Sequence, residues 1–253
     1  MKRIISALFL TMLCVGVVQA ASDLPAAEKL IAKYVEASGG EDVLTKYDTA
    51  HATGTFSMPA MGIEARIEVW QKAPNLTRTN IISDAFGTMS EGFDGEVAWE
   101  SSMMTGAKVK EGVELAVARR SSKFSPWVDW EEDYQEARTV GSETVDGVNC
   151  WLVEMVPHEG GGEPEKIYFA KNSGLIHKTA MLLKSEMGTI NVESFPSDYE
   201  EVQGVLQPMR SRQVLMGTQE IVLDMETHEF GVEIPAGTFD LPEDVQALVE
   251  ENK

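Results

Sequence analysis

The fold turns on one stretch, Val140 to Lys178: V-G-S-E-T-V-D-G-V-N-C-W-L-V-E-M-V-P, then H-E-G-G-G-E-P, then E-K-I-Y-F-A-K-N-S-G-L-I-H-K. Asp146-Gly147 is a two-residue hairpin signal, because both residues tolerate the positive φ of a tight primed turn. Val148 to Val156 is rich in β-branched and aromatic residues and reads as a strand. Gly160 to Pro164 breaks it. Lys166 to Ala170 reads as a second strand, Asn172-Ser173-Gly174 as a turn, and Leu175 to Leu183 as a third strand. This is an antiparallel meander, and it contains no catalytic motif.

Working outward, further strands are expected at Thr49 to Met58, Ile63 to Lys72, Leu76 to Ser83 and Glu96 to Glu100. They resume after Arg138 and continue through Thr189 to Phe195, Val205 to Leu215 and Gln219 to Phe230. Pro59 to Gly62, Ala73 to Asn75, Gly92 to Gly95, Pro196 to Asp198 and Met216 to Thr218 read as turns. Ile63, Ala65, Ile67 and Val69 alternate with Glu64, Arg66 and Glu68, which marks a sheet with one wet face. Trp70 falls on the otherwise polar side. Asp94-Gly95 and Asp146-Gly147 each precede a tryptophan by four residues, Trp99 and Trp151, which suggests one hairpin geometry used twice. Usual strand lengths give about eleven strands.

Helices are expected at four places. Ser22 or Asp23 can cap a first helix with Pro25 in its first turn, an apolar stripe of Leu24, Ala27, Leu30, Ile31, Tyr34 and Val35, and a stop at Gly39-Gly40. Val109 to Phe124 interrupts the β pattern and reads as a helix stopped by Pro126, followed by two closely spaced tryptophans, Trp127 and Trp130. A short helix from Glu41 to Lys46 is expected after the first, and the polar tail from Glu243 to Lys253 is the last. No linker or low-complexity stretch argues for a second domain.

Residues 1–20 read as a signal peptide: Lys2 and Arg3, an apolar run from Ile4 to Val18, and a small-residue cleavage site at Val18-Gln19-Ala20. Acylation at Cys14 is the rival, but Leu13 stands where a small residue is needed. The expectation is export to the periplasm or beyond, with residues 21–253 as one domain. No later apolar run is long enough to span a bilayer, so no stable membrane insertion is expected. The formal net charge is −20. Losing Lys2 and Arg3 with the signal makes the chain more acidic still. Such a field repels nucleic acid; it suits either a cationic envelope partner or solubility alone. Cys150 is left without a partner and is expected to be a buried, unreactive thiol.

The catalytic inventory is thin. His51, His158, His177 and His228 show no metal-like spacing, so no metal or cofactor is expected. No Gly-x-Ser-x-Gly elbow, phosphate loop or His-Glu-x-x-His motif occurs. Gly160-Gly161-Gly162 is flanked by glutamates, a poor phosphate cradle. Glu131, Glu132, Asp133 and Glu136 form an acidic face rather than an acid–base pair. The thirteen methionines are spread over many strands. They either fill a core or line a cavity that adapts to apolar ligands.

The order of these elements, from Leu24 to Pro242, resembles the bacterial periplasmic lipoprotein carriers of the LolA and LolB type. The resemblance rests on the leading helix, Gln71-Lys72-Ala73-Pro74-Asn75-Leu76-Thr77-Arg78 and Gly92-Phe93-Asp94-Gly95-Glu96-Val97-Ala98-Trp99. It rests also on the Asp146-Gly147 hairpin, Ile167 to Leu175, and the closing Phe239-Asp240-Leu241-Pro242. It implies a mainly β fold: one curved antiparallel sheet, an unclosed half-barrel whose hollow is covered by helices and, in the carriers, holds acyl chains. The chain is longer than a typical carrier and lacks the lipid anchor of the outer-membrane acceptors, which leaves the cargo open. In such a half-barrel the candidate cavity and lid residues are Trp70, Phe86, Met89, Trp99, Val113, Val117, Phe124, Trp127 and Trp130. The expected partner is a lipid or the acyl chains of a lipoprotein, bound without catalysis. The alternative is an interaction module with a filled core.

Overall fold

The structure, a computed structural model, describes residues 24–185 and 188–251. The expected cleavage after Ala20, Cys14 and the Ser22 or Asp23 cap lie outside the described residues. Among the described residues the sheet holds thirteen strands: β1 Thr49–Met58, β2 Ile63–Lys72, β3 Leu76–Ser83, β4 Gly87–Phe93, β5 Ala98–Ser102, β6 Gly106–Lys110, β7 Tyr134–Val145, β8 Val148–Pro157, β9 Glu165–Ala170, β10 Ile176–Ser185, β11 Gly188–Val202, β12 Val205–Leu215 and β13 Gln219–Phe230. The helices are α1 Ala27–Ala37, α2 Glu41–Leu44, α3 Gly112–Ser121 and α4 Glu243–Glu251.

All pairings are antiparallel, in the order β6-β5-β4-β3-β2-β1-β13-β12-β11-β10-β9-β8-β7. The chain starts in the middle of the sheet at β1 and walks outward to the edge at β6. It then crosses to the opposite edge at β7 and walks back to β13, which pairs with β1. The sheet stays open between β6 and β7. The segment that breaks the strand pattern is therefore the crossover joining the two free edges.

Two strands more than expected are present, and both have physical reasons. β4 (Gly-Thr-Met-Ser-Glu-Gly-Phe) has little β-branched content; it forms because β3 and β5 supply ladders on both sides. β6 runs straight into a helical pattern, and Val109 was expected to be helical. Instead Val109 pairs with Trp99 in the β5–β6 ladder, so α3 starts at Gly112 and ends at Ser121, before Phe124. The expected turn at Pro196-Ser197-Asp198 is strand: Pro196 pairs with Ser211, and the ladder skips Asp198, which has φ 51°. Pro196 is tolerated because pairing with β10 ends at Ser194, so its missing N–H interrupts nothing. The turn falls instead at Gln203-Gly204. Pro25 precedes α1 rather than sitting in its first turn. At Asp146-Gly147 both residues have positive φ (46° and 83°), the tight turn expected there.

The core is discontinuous. α1 buries Ala27, Leu30 and Ile31 against Val153, Met155, Ile167, Phe169 and Trp130. Each Leu or Ile so buried is worth about 1.5–3 kcal/mol. α2 and the stretch after α3 pack Val43, Leu44 and Phe124 on Ala50, Val205 and Phe230. A third cluster, Phe56, Ala65 and Ile67, carries only partly buried neighbours. Gly54 is fixed by backbone crowding at the β1–β13 irregularity, where a Cβ would sit 2.1 Å from the Asp224 carbonyl oxygen.

Candidate functional site

Residues directly opposite in antiparallel neighbours share a face. Leu183 lies opposite Ile190, Val192 opposite Leu215, and Leu223 opposite Phe56. Phe56 lies opposite Ala65, and Ile67 opposite Ile81, which lies opposite Met89. This inner face is the one that α1, α2 and α3 cover. Its coverage is partial. Phe56, Ala65 and Ile67 are buried, but Ile81, Leu183, Ile190, Val192, Leu215, Ile221 and Leu223 are only half-buried. These are apolar side chains on the inner side of the sheet that stay partly exposed, and α3 reaches only the end of the row at Leu183 and Ile190.

Beneath α3 lies a hollow of about 440 Å³, within the range of ligand sites, about 300–1,000 Å³. Val117 and Ala118 line it from α3, and Leu183 and Ile190 from β10 and β11. The facing wall is polar: Thr77, Thr79, Glu91, Glu100, Lys108 and Lys110. Lys110 Nζ stands 3.2 Å from Glu91 Oε2 and 3.6 Å from Glu100 Oε2, and Lys108 Nζ donates to Glu114 Oε2 of α3 at 2.7 Å. Each pair has one partner that is substantially exposed, so each contributes at most about 1 kcal/mol. Their larger effect is to make the hollow two-sided, apolar on one wall and charged on the other. A separate depression of about 680 Å³ lies under the closing loop Ile234 to Leu241, away from the inner apolar face.

The nine expected site residues are dispersed. Val117 lines the hollow. Phe86 and Met89 lie toward the rim of the same face, Phe86 packing near Phe56 and Met89 opposite Ile81. Val113 faces the β8–β9 connection, where a Cβ on Gly162 would come 3.1 Å from its Cγ1. Phe124 packs edge-on to Phe230 at 6.4 Å. Trp127 meets Tyr34 at 5.7 Å and Phe169 at 6.2 Å, and Trp130 is 9% exposed in the core beneath α1. Trp70 and Trp99 are on the outer face. Trp70 stacks on His51 at 3.7 Å, and Trp99 is buried under Arg78, whose guanidinium donates to the Thr238 and Asp240 carbonyls of the closing loop. Trp151 is on the inner face opposite Phe169, so the two Asp-Gly turns do not plant their indoles alike. The first connection spans Asp94 to Val97, the second only Asp146-Gly147.

The half-exposed residues of β10 to β13 were not singled out from the sequence, although Ile221, Leu223 and Met225 show the period of two that marks one strand face. The charged wall had no sequence signal, since its partners come from β4, β5, β6 and α3.

α3 is held at its C-terminal end by a buried network. Arg120 Nη2 donates to Glu165 Oε1 at 2.5 Å and Nη1 to the Gly161 carbonyl at 2.9 Å; the Tyr134 hydroxyl donates to Glu165 Oε2 at 2.9 Å. Burial opposes the Arg120 charge, but the Glu165 carboxylate more than offsets this and raises its pKa. Burial, and then the Glu165 charge, pushes the Tyr134 phenol far up. Arg120 Nε is buried without a hydrogen-bond partner.

The histidines have structural surroundings. His51 contacts Glu68 at 3.2 Å, while His158 and His177 reach the Glu131 and Val145 carbonyls, each at 3.1 Å. Burial, with the neighbouring His51 charge, lowers the pKa of His228. Among the described residues no group of three or more His, Cys, Asp or Glu is placed to hold a metal ion. Cys150 is fully covered at 0% exposure, and burial pushes its thiol up.

No family model and no curated protein matches the sequence. Solved structures do match the fold. A LolA superfamily protein from Nitrosomonas europaea superposes with a TM-score of 0.58 at 13% identity, covering 86% of this chain and 99% of that one. A DUF1329 family protein from Desulfovibrio piger gives 0.57 at 12% identity, covering 86% and 98%. A domain described as that of an outer membrane lipoprotein-sorting protein, from Vibrio parahaemolyticus, gives 0.55 at 10% identity, covering 85% and 96%. The chain has the LolA-type fold, an unclosed antiparallel half-barrel. At these identities the likeness establishes the fold alone.

Proposed function

We propose that this is a non-enzymatic cell-envelope protein that shelters the acyl chains of a lipid or lipoprotein in its half-barrel. The observation that carries the reading is the set of apolar residues on the inner face, Leu183, Ile190, Val192, Leu215, Ile221, Leu223 and Ile81, which stay only half-buried around the polar Ser194, Ser211 and Gln213, beside a hollow bounded by α3. A folded chain leaves such a surface uncovered at a cost, and an acyl chain offsets it at about 0.8 kcal/mol per buried methylene. The charged wall opposite suits an amphiphile, whose polar end meets Glu91, Glu100, Lys108 and Lys110 while its chain meets Leu183 and Ile190. The likeness to a lipoprotein-sorting domain supports the same class of ligand. The sequence of residues 1–20 supports delivery to the envelope, and N-terminal sequencing of exported protein should find cleavage after Ala20. No helix among the described residues is long and apolar enough to cross a membrane.

The test is direct. Solvent extracts of gently purified protein should yield lipid by mass spectrometry, and a fluorescent fatty-acyl probe should bind. Leu183→Asp and Ile190→Asp should abolish probe binding while retaining a cooperative unfolding transition. Lipid-free protein that binds no probe would instead support the filled-core interaction module.

A further inference from the structure

The turns of the sheet fall at two ends. The connections β1–β2, β3–β4, β5–β6 and β12–β13 share one end, and in the strand order they follow one another along the rim from β6 to β12. This rim is studded with exposed methionine. Met61 is 63% exposed in the β1–β2 turn, Met103 and Met104 are 86% and 75% exposed in the β5–β6 turn, and Met216 is 61% exposed in the β12–β13 turn. Single exposed apolar residues are ordinary, but four methionines on three of the four tips along one rim are not. At such exposure these side chains add little to the core, although Met103 lies close to Gly87. The tips read Pro59-Ala60-Met61-Gly62, Asp84-Ala85-Phe86, Met103-Met104-Thr105 and Met216-Gly217-Thr218; none holds a lysine or arginine.

We infer that this methionine rim is the edge by which the protein rests on a lipid bilayer with zwitterionic headgroups. Three observations select that occupant. First, the tips are separate: each hairpin spans two strands, so neighbouring tips stand about 10 Å apart. They make a curved row of flexible thioethers rather than a groove, and a fluid surface accommodates such a row where a folded partner needs a fitted cleft. Second, apolar surface runs from the tips inward. Met58, Ile63 and Phe86 pack against Phe56, Ala65 and Ile67, the inner-face cluster, so an acyl chain leaving a bilayer stays on apolar side chains as it enters. Third, uncharged or acidic tips on a chain of net charge −20 are repelled by anionic headgroups. The purpose of the rim rests on the carrier reading, but its contact with the bilayer is measurable by itself.

The experiment is flotation of the exported protein with vesicles of phosphatidylethanolamine and phosphatidylcholine. It is repeated with the variant Met61→Gln/Met103→Gln/Met104→Gln/Met216→Gln and with wild type whose exposed methionines have been oxidised by mild peroxide. Wild type should float, and both altered forms should bind the vesicles about tenfold more weakly or worse, since affinity follows buried apolar area. Vesicles enriched in phosphatidylglycerol should bind wild type less. The variant should keep its unfolding midpoint and its fatty-acyl probe binding. Equal flotation of variant and wild type overturns the inference. So does a wild type that ignores zwitterionic vesicles, or one that dimerises through these methionines instead. Loss of flotation in the variant when wild type binds no acyl probe sustains the bilayer contact and removes the carrier reading.

Discussion

Arg120 and Glu165 form a buried ion pair at 2.5 Å that fastens the end of α3 to the first residue of β9. Through Tyr134 the same carboxylate ties in the start of β7. One network therefore fixes the crossover that spans the open side of the half-barrel at the point where it must turn toward the far edge.

Breaking this pair should be costly. Arg120→Met leaves the Glu165 charge buried, and the expected loss is about 3–5 kcal/mol. Replacing both partners, Arg120→Met with Glu165→Leu, should cost less than the single change because no bare charge remains. Urea unfolding of the three proteins checks this; a single-variant loss below about 1 kcal/mol would contradict a buried pair.

Val117 and Trp130 should separate ligand effects from stability. Val117 is half-buried and lines the hollow, whereas Trp130 is 9% exposed in the core under α1. Val117→Asn should weaken acyl-probe binding with a small change in the unfolding midpoint. Trp130→Ala should cost about 3–5 kcal/mol through the cavity it leaves. If Val117→Asn instead destabilises the fold and leaves probe binding unchanged, α3 fills the hollow rather than gating it.

His228 predicts a pH dependence. Its pKa is lower in the folded protein than in the unfolded chain, because burial and the neighbouring His51 disfavour the charged ring. The unfolded state therefore binds the proton more readily. This contribution to stability is present above the unfolded histidine value, about 6.5, and is lost as pH falls below it. Thermal midpoints recorded downward from pH 7 should decline, and His228→Asn should flatten that part of the decline. An unchanged slope in the variant would assign it to other groups.

Cys150 should resist thiol reagents until the protein unfolds, since it is fully covered and its thiolate is disfavoured. Cys150→Ala should cost on the order of 1 kcal/mol for a small cavity and leave probe binding intact. Labelling in native buffer as fast as in denaturant would show the site to be open.

Much of the architecture is legible in the sequence because it is local. Asp146-Gly147 dictates its tight turn, and the alternation of Ile63, Ala65 and Ile67 with charged residues dictates a one-sided strand. Ala27, Leu30 and Ile31 dictate the buried stripe of α1. β4 and β6 were hidden because their residues have weak preferences and become strands only when neighbouring ladders supply their hydrogen bonds. Pro196 reads as a turn in any local window, yet it continues a strand because its other side has already lost its partner.

The candidate site divides in the same way. The sequence by itself determined that the chain makes a curved antiparallel sheet with a helical segment interrupting it, that Val117 is an apolar position in that segment, and that Phe86 and Met89 are apolar positions ahead of it. Only the tertiary structure decided which tryptophans face inward, which apolar residues stay half-exposed, and that methionines from distant turns share one rim. The physical reason is that pattern and turn chemistry act over a few residues. Face, coverage and rim are set by the β1–β13 ladder and the crossover from β6 to β7, contacts between residues far apart in the chain.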